Sequence, residues 1–492
     1  MRYDECMKTP RGMTLVDVLV GSALVLIIFL ALLGLLRASL LISSAAKLKS
    51  GATALATTQM EYLRSLPYDS VGTVGGIPAG AIPQNTTSTL NGVTYVTRTF
   101  IEYVDDAKDG QGVADSNGIM TDYKRARVSV SYMFRESDRE LVLVSNIAPP
   151  SIETTTGGGT LRINVVNAAG DPVAGASVRV QNPSAGPAID FTTFSDATGV
   201  VMIPGAPPST DYRITASKDG YSTAVTYARD ATNQNPTPGY LTIVAGQTTS
   251  STFAIDVLGA LVMRTFSSVR PAFQIDSFDD GTHLASVSGT QAAGGALVLS
   301  GAPGSYALSG SARSTSTAPT YLKEWRTVDA DEVVPAGTGI VLRVAASSGT
   351  LVPDAMLPGN TVGFSSFPID ISGIATTTYP SLSILADLST SDALMTPQVL
   401  EWSIHFDEGP IPLPNRAFTL TGAKVMGTTG AGAAIPKTII ATTTDASGRV
   451  TIPLEWDVYT FDTTVGTLIS ESEPSPYTLE PAENRTVDVI LQ

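Results

Sequence analysis

The sequence predicts a multidomain, mainly β protein: a long N-terminal α-helix with an antiparallel sheet behind it, then three β-sandwich domains. Three observations predict this. An apolar run at residues 13–36 passes directly into a helical pattern that ends at Pro67. Beyond it, short alternating runs recur between Gly, Pro, Asn and Asp turns, the spacing of sandwich strands. At 492 residues the chain is also too long for one core, so several packed units are expected.

The helix comes first. Residues 1–12, MRYDECMKTPRG, are polar and carry a net charge of +1, which keeps them on the cytoplasmic side. From Met13 to Leu36 the only charge is Asp17. Those residues span roughly 36 Å as a helix, enough for a ~30 Å hydrocarbon core. The run passes into Arg37 without the small-residue site of a secretory signal, so the apolar segment is expected to be retained. Leu48, Ala52, Leu55, Ala56, Gln59, Leu63 and Leu66 then recur at helical spacing. A rod of that kind needs a head packed on its second half.

The junction Arg11-Gly12, followed by Met13-Thr-Leu-Val-Asp17, resembles the type IV prepilin leader of bacterial pilins and pseudopilins. The resemblance covers residues 8 to 66 and implies cleavage after Gly12 by prepilin peptidase and methylation of Met13. It implies a precursor in the bacterial inner membrane and then a subunit in a filament core at the cell surface. Asp17 would pair there with the N-terminal amine of a neighbouring pilin subunit, satisfying a charge that is costly in an apolar span. The family more often has Glu at this position and Phe at the first mature one; the carboxylate here reaches one methylene less. Pilus and type II secretion pseudopilus are both open.

The head is expected over 67–152 as a three-stranded sheet from GVTYVTRTFIEYV, DYKRARVSVSYMF and RELVLVSNI. In the second run Ala126, Val128, Val130, Tyr132 and Phe134 alternate with Arg125, Arg127, Ser129 and Ser131, the period of a half-buried strand. Between the first two runs, Asp105, Asp106, Asp109, Asp115, Asn117 and Asp122 crowd a Gly-containing loop. Oxygen ligands on flexible backbone suit Ca²⁺. Some pseudopilins carry calcium in a comparable loop, and Asp105, Asp109, Asp115, Asn117 and Asp122 are the candidate ligands, although their spacing fits no strict EF-hand and a solvated turn is the alternative.

Residues 153–160, ETTTGGGT, read as a flexible linker. A sandwich follows at 161–257, where Gly170-Asp-Pro-Val-Ala-Gly175, Asp196-Ala-Thr-Gly199, Tyr212 and Asp219-Gly-Tyr221 resemble the carboxypeptidase regulatory-like domain, a prealbumin-like, non-catalytic module. SDATGVVMIP at 195–204 has an echo in TDASGRVTIP at 444–453, so a second prealbumin-like sandwich is expected at 411–492. Residues 258–410 suggest a jelly-roll-like sandwich between them. Such units often bind glycans, and Trp325 and Trp402 are candidate stacking rings, with the hydrophobic core as their other destination.

Composition narrows function. With a net charge of −15 and no basic stripe, nucleic acid is excluded as a partner. One cysteine and two histidines provide neither a disulfide nor a Cys/His zinc site. His283 and His405 lie near no nucleophile elbow, P-loop or dinucleotide fingerprint, so a non-enzyme without a cofactor, calcium aside, is expected. The sequence favours a minor pilin or pseudopilin displaying sandwiches for adhesion to a surface glycan or protein. A membrane-anchored glycan-binding protein or carbohydrate-active enzyme that never assembles is the alternative.

Overall fold

The structure, a computed structural model, describes residues 15–106, 108, 110, 118–150, 157–463 and 466–492. Strands hold 49% of the chain and helix 12%, the mainly β class the sequence predicts. The chain divides into two compact units. One runs to Val257 and includes Met426–Ile435; the other holds Leu258–Val425 and Pro436–Gln492.

Helix α1, Leu15–Ser65, is continuous over 51 residues and ends just before Pro67, whose ring cannot continue a helix. It packs on a head sheet of four strands in sequence order: β1 (Asn85–Leu90), β2 (Val93–Val104), β3 (Tyr123–Phe134) and β4 (Ser137–Ile147). The fourth, β1, replaces the expected three-stranded sheet. Its sequence, NTTSTL, lacks an apolar alternation because it is an edge strand exposed along nearly its whole length. Ala126, Val128 and Val130 of β3 are fully buried and meet Ala52, Ala56, Met60 and Leu63 of α1.

The expected linker is shorter than 153–160. Gly159 and Thr160 already belong to β5 (Gly159–Val166) and are buried. A side chain on Gly158 would meet the Gly205 backbone at 2.6 Å, so these glycines allow two backbones to approach. The sandwich continues with β6 (Ser177–Asn182), β7 (Ile189–Phe194), β8 (Val200–Ala206) and β9 (Ser209–Ser217). Strand β5 lies between β8, antiparallel, and Thr248–Ala254, parallel. The facing sheet places β6 between β7 and β9, with Leu241–Ile243 on the far edge of β9.

The last sandwich repeats this topology over seven strands and adds Leu468–Glu471 beside Asn484–Leu491, but its first strand lies before the third domain in sequence. Gly259–Ser267 runs antiparallel to Arg449–Leu454 and parallel to Asn484–Leu491, as β5 does with its neighbours. Ala417–Gly422 sits between Ile439–Thr443 and Asp457–Thr463, and Tyr477–Leu479 takes the far edge. The boundaries expected at 258 and 411 therefore do not separate two domains in series. A sandwich of two sheets, the larger built around Leu322–Val333 and Gln398–Glu408, lies between the first and second strands of the last one.

The repeated turn shows the same chemistry in both copies. Asp196 Oδ1 accepts from the Thr198 N–H at 2.8 Å, the Thr198 hydroxyl at 2.7 Å and the Val200 N–H at 2.9 Å. Asp445 Oδ1 accepts from the Ser447 N–H at 2.8 Å, the Ser447 hydroxyl at 2.6 Å and the Arg449 N–H at 3.0 Å. Gly199 and Gly448 take φ of +74° and +73°, which a side chain would strain. A buried tyrosine then closes the next corner in each: Tyr212 donates to Pro207 O at 2.8 Å and Tyr459 to Glu455 O at 2.9 Å.

The two ends of the inserted domain meet, since the Ser267 N–H donates to Ile411 O at 2.8 Å. A chain lacking residues 269–409 is thus expected to keep 410–492 resistant to limited proteolysis. One lacking 258–409 loses Leu261 and Met263 from the core and exposes the same segment to cleavage. Equal resistance of the two would show that the first strand is dispensable.

Candidate functional site

The candidate site is the helix and its seat on the head. Arg11, Gly12 and Met13, the expected processing junction, lie outside the described residues. Asp17 stands in the first turn of α1, where unsatisfied backbone N–H groups favour negative charge. After it the side chains are exposed on every face: Leu19 is 62% accessible, Ile27 62% and Leu36 58%. The helix is long and apolar enough to cross a membrane, with a mean hydropathy of 2.9 over an 18-residue window of which none is buried in this chain.

Burial begins where the apolar run ends. The phenol of Tyr95 on β2 donates to Leu48 O at 3.2 Å. A Cβ on Gly51 would lie 2.7 Å from that phenol oxygen, so Gly51 leaves room for the Tyr95 side chain against the helix. At the other end of the seam Lys124 on β3, only 2% exposed, extends under the turn that follows α1. Its ammonium donates to Tyr68 O at 2.7 Å and Val71 O at 2.8 Å and lies 4.5 Å from the Tyr68 ring centroid. The sequence hides this role, because Lys124 shares the inward period of Ala126 and Val128 yet reads as a strand-end charge.

The other candidates disperse. Of the calcium set, Asp109, Asp115 and Asn117 fall outside the described residues, while Asp105 and Asp122 are buried at the loop base. Asp122 accepts from the Asp106 N–H, a bond that closes the loop whether or not an ion is held. Among the described residues no cluster of three or more metal-ligating side chains forms.

Trp325 and Trp402 are 0% and 2% exposed, which removes both as sugar platforms. Trp325 donates through Nε1 to Tyr379 O at 2.9 Å, and Trp402 meets the Phe278 ring edge-on at 4.9 Å. They face the inner layer of the third domain with Val328, Ile340 and Leu388. On the outer face of the same sheet, His405 Nε2 and Ser403 Oγ lie 3.0 Å apart, a pairing that spacing of two on one strand could have signalled. His283 is a loop residue 4.0 Å from Asp276.

Residues 160–256 match the model of the carboxypeptidase regulatory-like domain. No curated protein sequence matches the chain. Among solved structures it is similar to the Bacillus anthracis TIE protein, at 11% identity and a TM-score of 0.17, covering 84% of this chain and 61% of that one. It thus spans less than two thirds of that protein. It is also similar to a Streptococcal ancillary pilin, at 8% identity and a TM-score of 0.19 over 74% and 76% of the two chains. The third is the major pilin subunit BcpA of Bacillus cereus, at 9% identity and a TM-score of 0.14 over 68% and 100%. TM-scores of this size mark no shared overall arrangement.

Burial pushes the Lys124 ammonium down to about 8, with Asp69 pulling the other way. Below that pH the folded and unfolded chains both hold the proton. Between pH 8 and the ordinary lysine value of 10.5 the unfolded chain binds more protons, so stability rises with pH across that window. The head of the parent should therefore gain up to about 3 kcal/mol relative to a Lys124→Met variant between pH 7.5 and 10.5. Denaturant titrations at the two pH values measure the difference; a pH-independent gap would show that the ammonium is not desolvated.

Proposed function

We propose that this chain is a low-copy type IV pilin or pseudopilin. Prepilin peptidase cuts after Gly12, Met13 becomes the methylated N-terminus, and the retained helix passes from the inner membrane into a filament core with other pilin subunits. The sandwiches are then displayed at the cell surface for adhesion. One observation carries this reading: a single helix whose first half is apolar and uncovered on every face while its second half is committed to a head sheet. A lone membrane anchor needs only the first half. A subunit that must leave the bilayer and still hold its head needs both in one rigid piece.

Asp17 gives the helix its means of registration. An amine at Met13 and a carboxylate at Asp17 on a neighbour neutralise one another inside an apolar core, where each alone costs about 2 to 3 kcal/mol or more. The displayed part includes the carboxypeptidase regulatory-like sandwich and the last sandwich, each with one Asp-x-x-Gly turn and one buried tyrosine corner that suit a rigid extension.

Mass spectrometry of the membrane-extracted protein tests the processing step. The expected product begins at a methylated Met13; an intact Met1 overturns the proposal in favour of a single-pass anchor carrying a binding module. Assembly has its own readout. Asp17→Ala should lower recovery of the chain in sheared filaments by roughly tenfold or more while leaving its membrane level unchanged. Recovery equal to the parent would remove the proposed charge link, and partial rescue by Asp17→Glu is expected.

A further inference from the structure

The outward face of the head sheet carries a feature the filament reading does not use. Arg98, Phe100 and Glu102 alternate along β2, and Arg125 and Arg127 stand beside them on β3, with Glu102 opposite Arg125 and Phe100 opposite Arg127. This face is turned toward β7 and β8 of the first sandwich. Between them lies a cavity of about 460 Å³, lined also by Phe194 and Met202, with the carboxylates of Asp105 and Asp196 on its wall as well. The size falls in the range of small-molecule sites.

Its walls belong together. Phe100 stacks 6.0 Å from Phe191, and Phe100, Tyr103 and Ile77 pack into the core of the first sandwich. The Gln84 amide donates to Val74 O at 2.8 Å and Asp190 O at 2.7 Å, and the Asp190 N–H donates to Gly75 O at 2.9 Å. The cavity is therefore held open by contacts on either side of it rather than being a loose gap.

The three guanidinium groups are in different states. Arg98 donates to Thr192 O and lies 5.2 Å from the Phe194 ring centroid. Arg125 donates to Asn146 Oδ1 at 3.3 Å and Tyr123 Oη at 3.1 Å. Arg127, by contrast, makes no side-chain hydrogen bond or ion pair at contact distance among the described residues; its charge works against that of Arg98 and is attracted only at longer range by Glu102. A free fork of donors beside a second, half-buried cation is a place for a carboxylate. Glu102, whose carboxyl burial pushes up, adds an acceptor for a hydroxyl on the same wall. Phe194, 50% exposed, and Met202, 38% exposed, supply an apolar floor.

We infer that this cavity binds an acidic sugar, its carboxylate on Arg127, its hydroxyls toward Glu102 and its C–H face on Phe194. An inorganic anion would leave the apolar floor unused, and a neutral sugar would leave the Arg127 fork without a hydrogen-bonded carboxylate, its charge balanced only by Glu102 nearby. The inference stands apart from the filament reading, since an uncleaved chain would present the same cavity.

Saturation-transfer NMR on the full chain in a sugar-free non-ionic detergent tests it, with glucuronic acid and N-acetylneuraminic acid as probes. Transfer to at least one acidic sugar is expected, with apparent affinity falling about tenfold or more in Arg127→Ala and in Arg127→Gln. An unchanged thermal midpoint shows that these variants remain folded. Glucose and acetate separate the two halves of the ligand and should each bind more weakly. No transfer at tens of millimolar probe, equal binding of glucose, tighter binding of glutamate than of either acidic sugar, or full affinity in both Arg127 variants would each overturn the inference.

Discussion

Everything beyond the helix depends on the seam between α1 and the head sheet. Ala52 and Ala56 are small enough to bring the helix down onto Ala126, Val128 and Val130, and Met60 and Leu63 fill the space beside them. Helix and sheet each have an apolar surface that must be covered, and here each covers the other. The first half of the helix has no such partner among the described residues. The two halves differ in what surrounds them, yet no Pro interrupts them, so a displacement of one is transmitted to the other. Lys124 fastens the far end of the seam by holding two carbonyls of the turn where the helix stops.

The head, in turn, is not a separate bead on a string. Phe100 and Tyr103 leave the head sheet to pack in the sandwich core, and Gly205 has no side chain because one would lie 2.8 Å from the Tyr103 ring. Those contacts place the rim of one sheet against the edge of another and leave the cavity between them. Strand β5 begins at Gly159, so Gly159 and Thr160 are part of the sandwich rather than of a linker.

Much of this was legible in the sequence where the physics is local. The helix end at Pro67, the alternation of β3 and the Asp-x-x-Gly turns all rest on residues within a few positions of one another. What was not legible depends on partners far along the chain. Gly259–Ser267 reads as the start of the domain it precedes, and nothing nearby reveals that its neighbours in the sheet begin at Arg449 and Asn484. Trp325 and Trp402 were ambiguous for another reason. Register shifts on Leu322–Val333 break the period of two, so no alternation marks which face Trp325 occupies. Arg127 is visible in the sequence as an outward residue of β3, but its place on a cavity wall, without a hydrogen-bonded side-chain partner among the described residues, depends on the sandwich laid across it.

The choice of Asp over Glu at position 17 follows from two demands on one carboxylate. In the first turn of a helix a short side chain stays near the backbone N–H groups and gains from their field. A longer one reaches further toward a neighbour's amine but loses part of that local gain. Under the filament reading, Asp17 serves both demands, with a reach to another subunit one methylene shorter than that of a glutamate. A chain whose helix carries well over 400 residues of largely β structure has less need to repeat than to join once and hold. If the helix enters a filament as proposed, the shorter acid suits a subunit whose neighbour is already positioned, and the seam at Ala52 and Ala56 keeps the large head fixed to that helix.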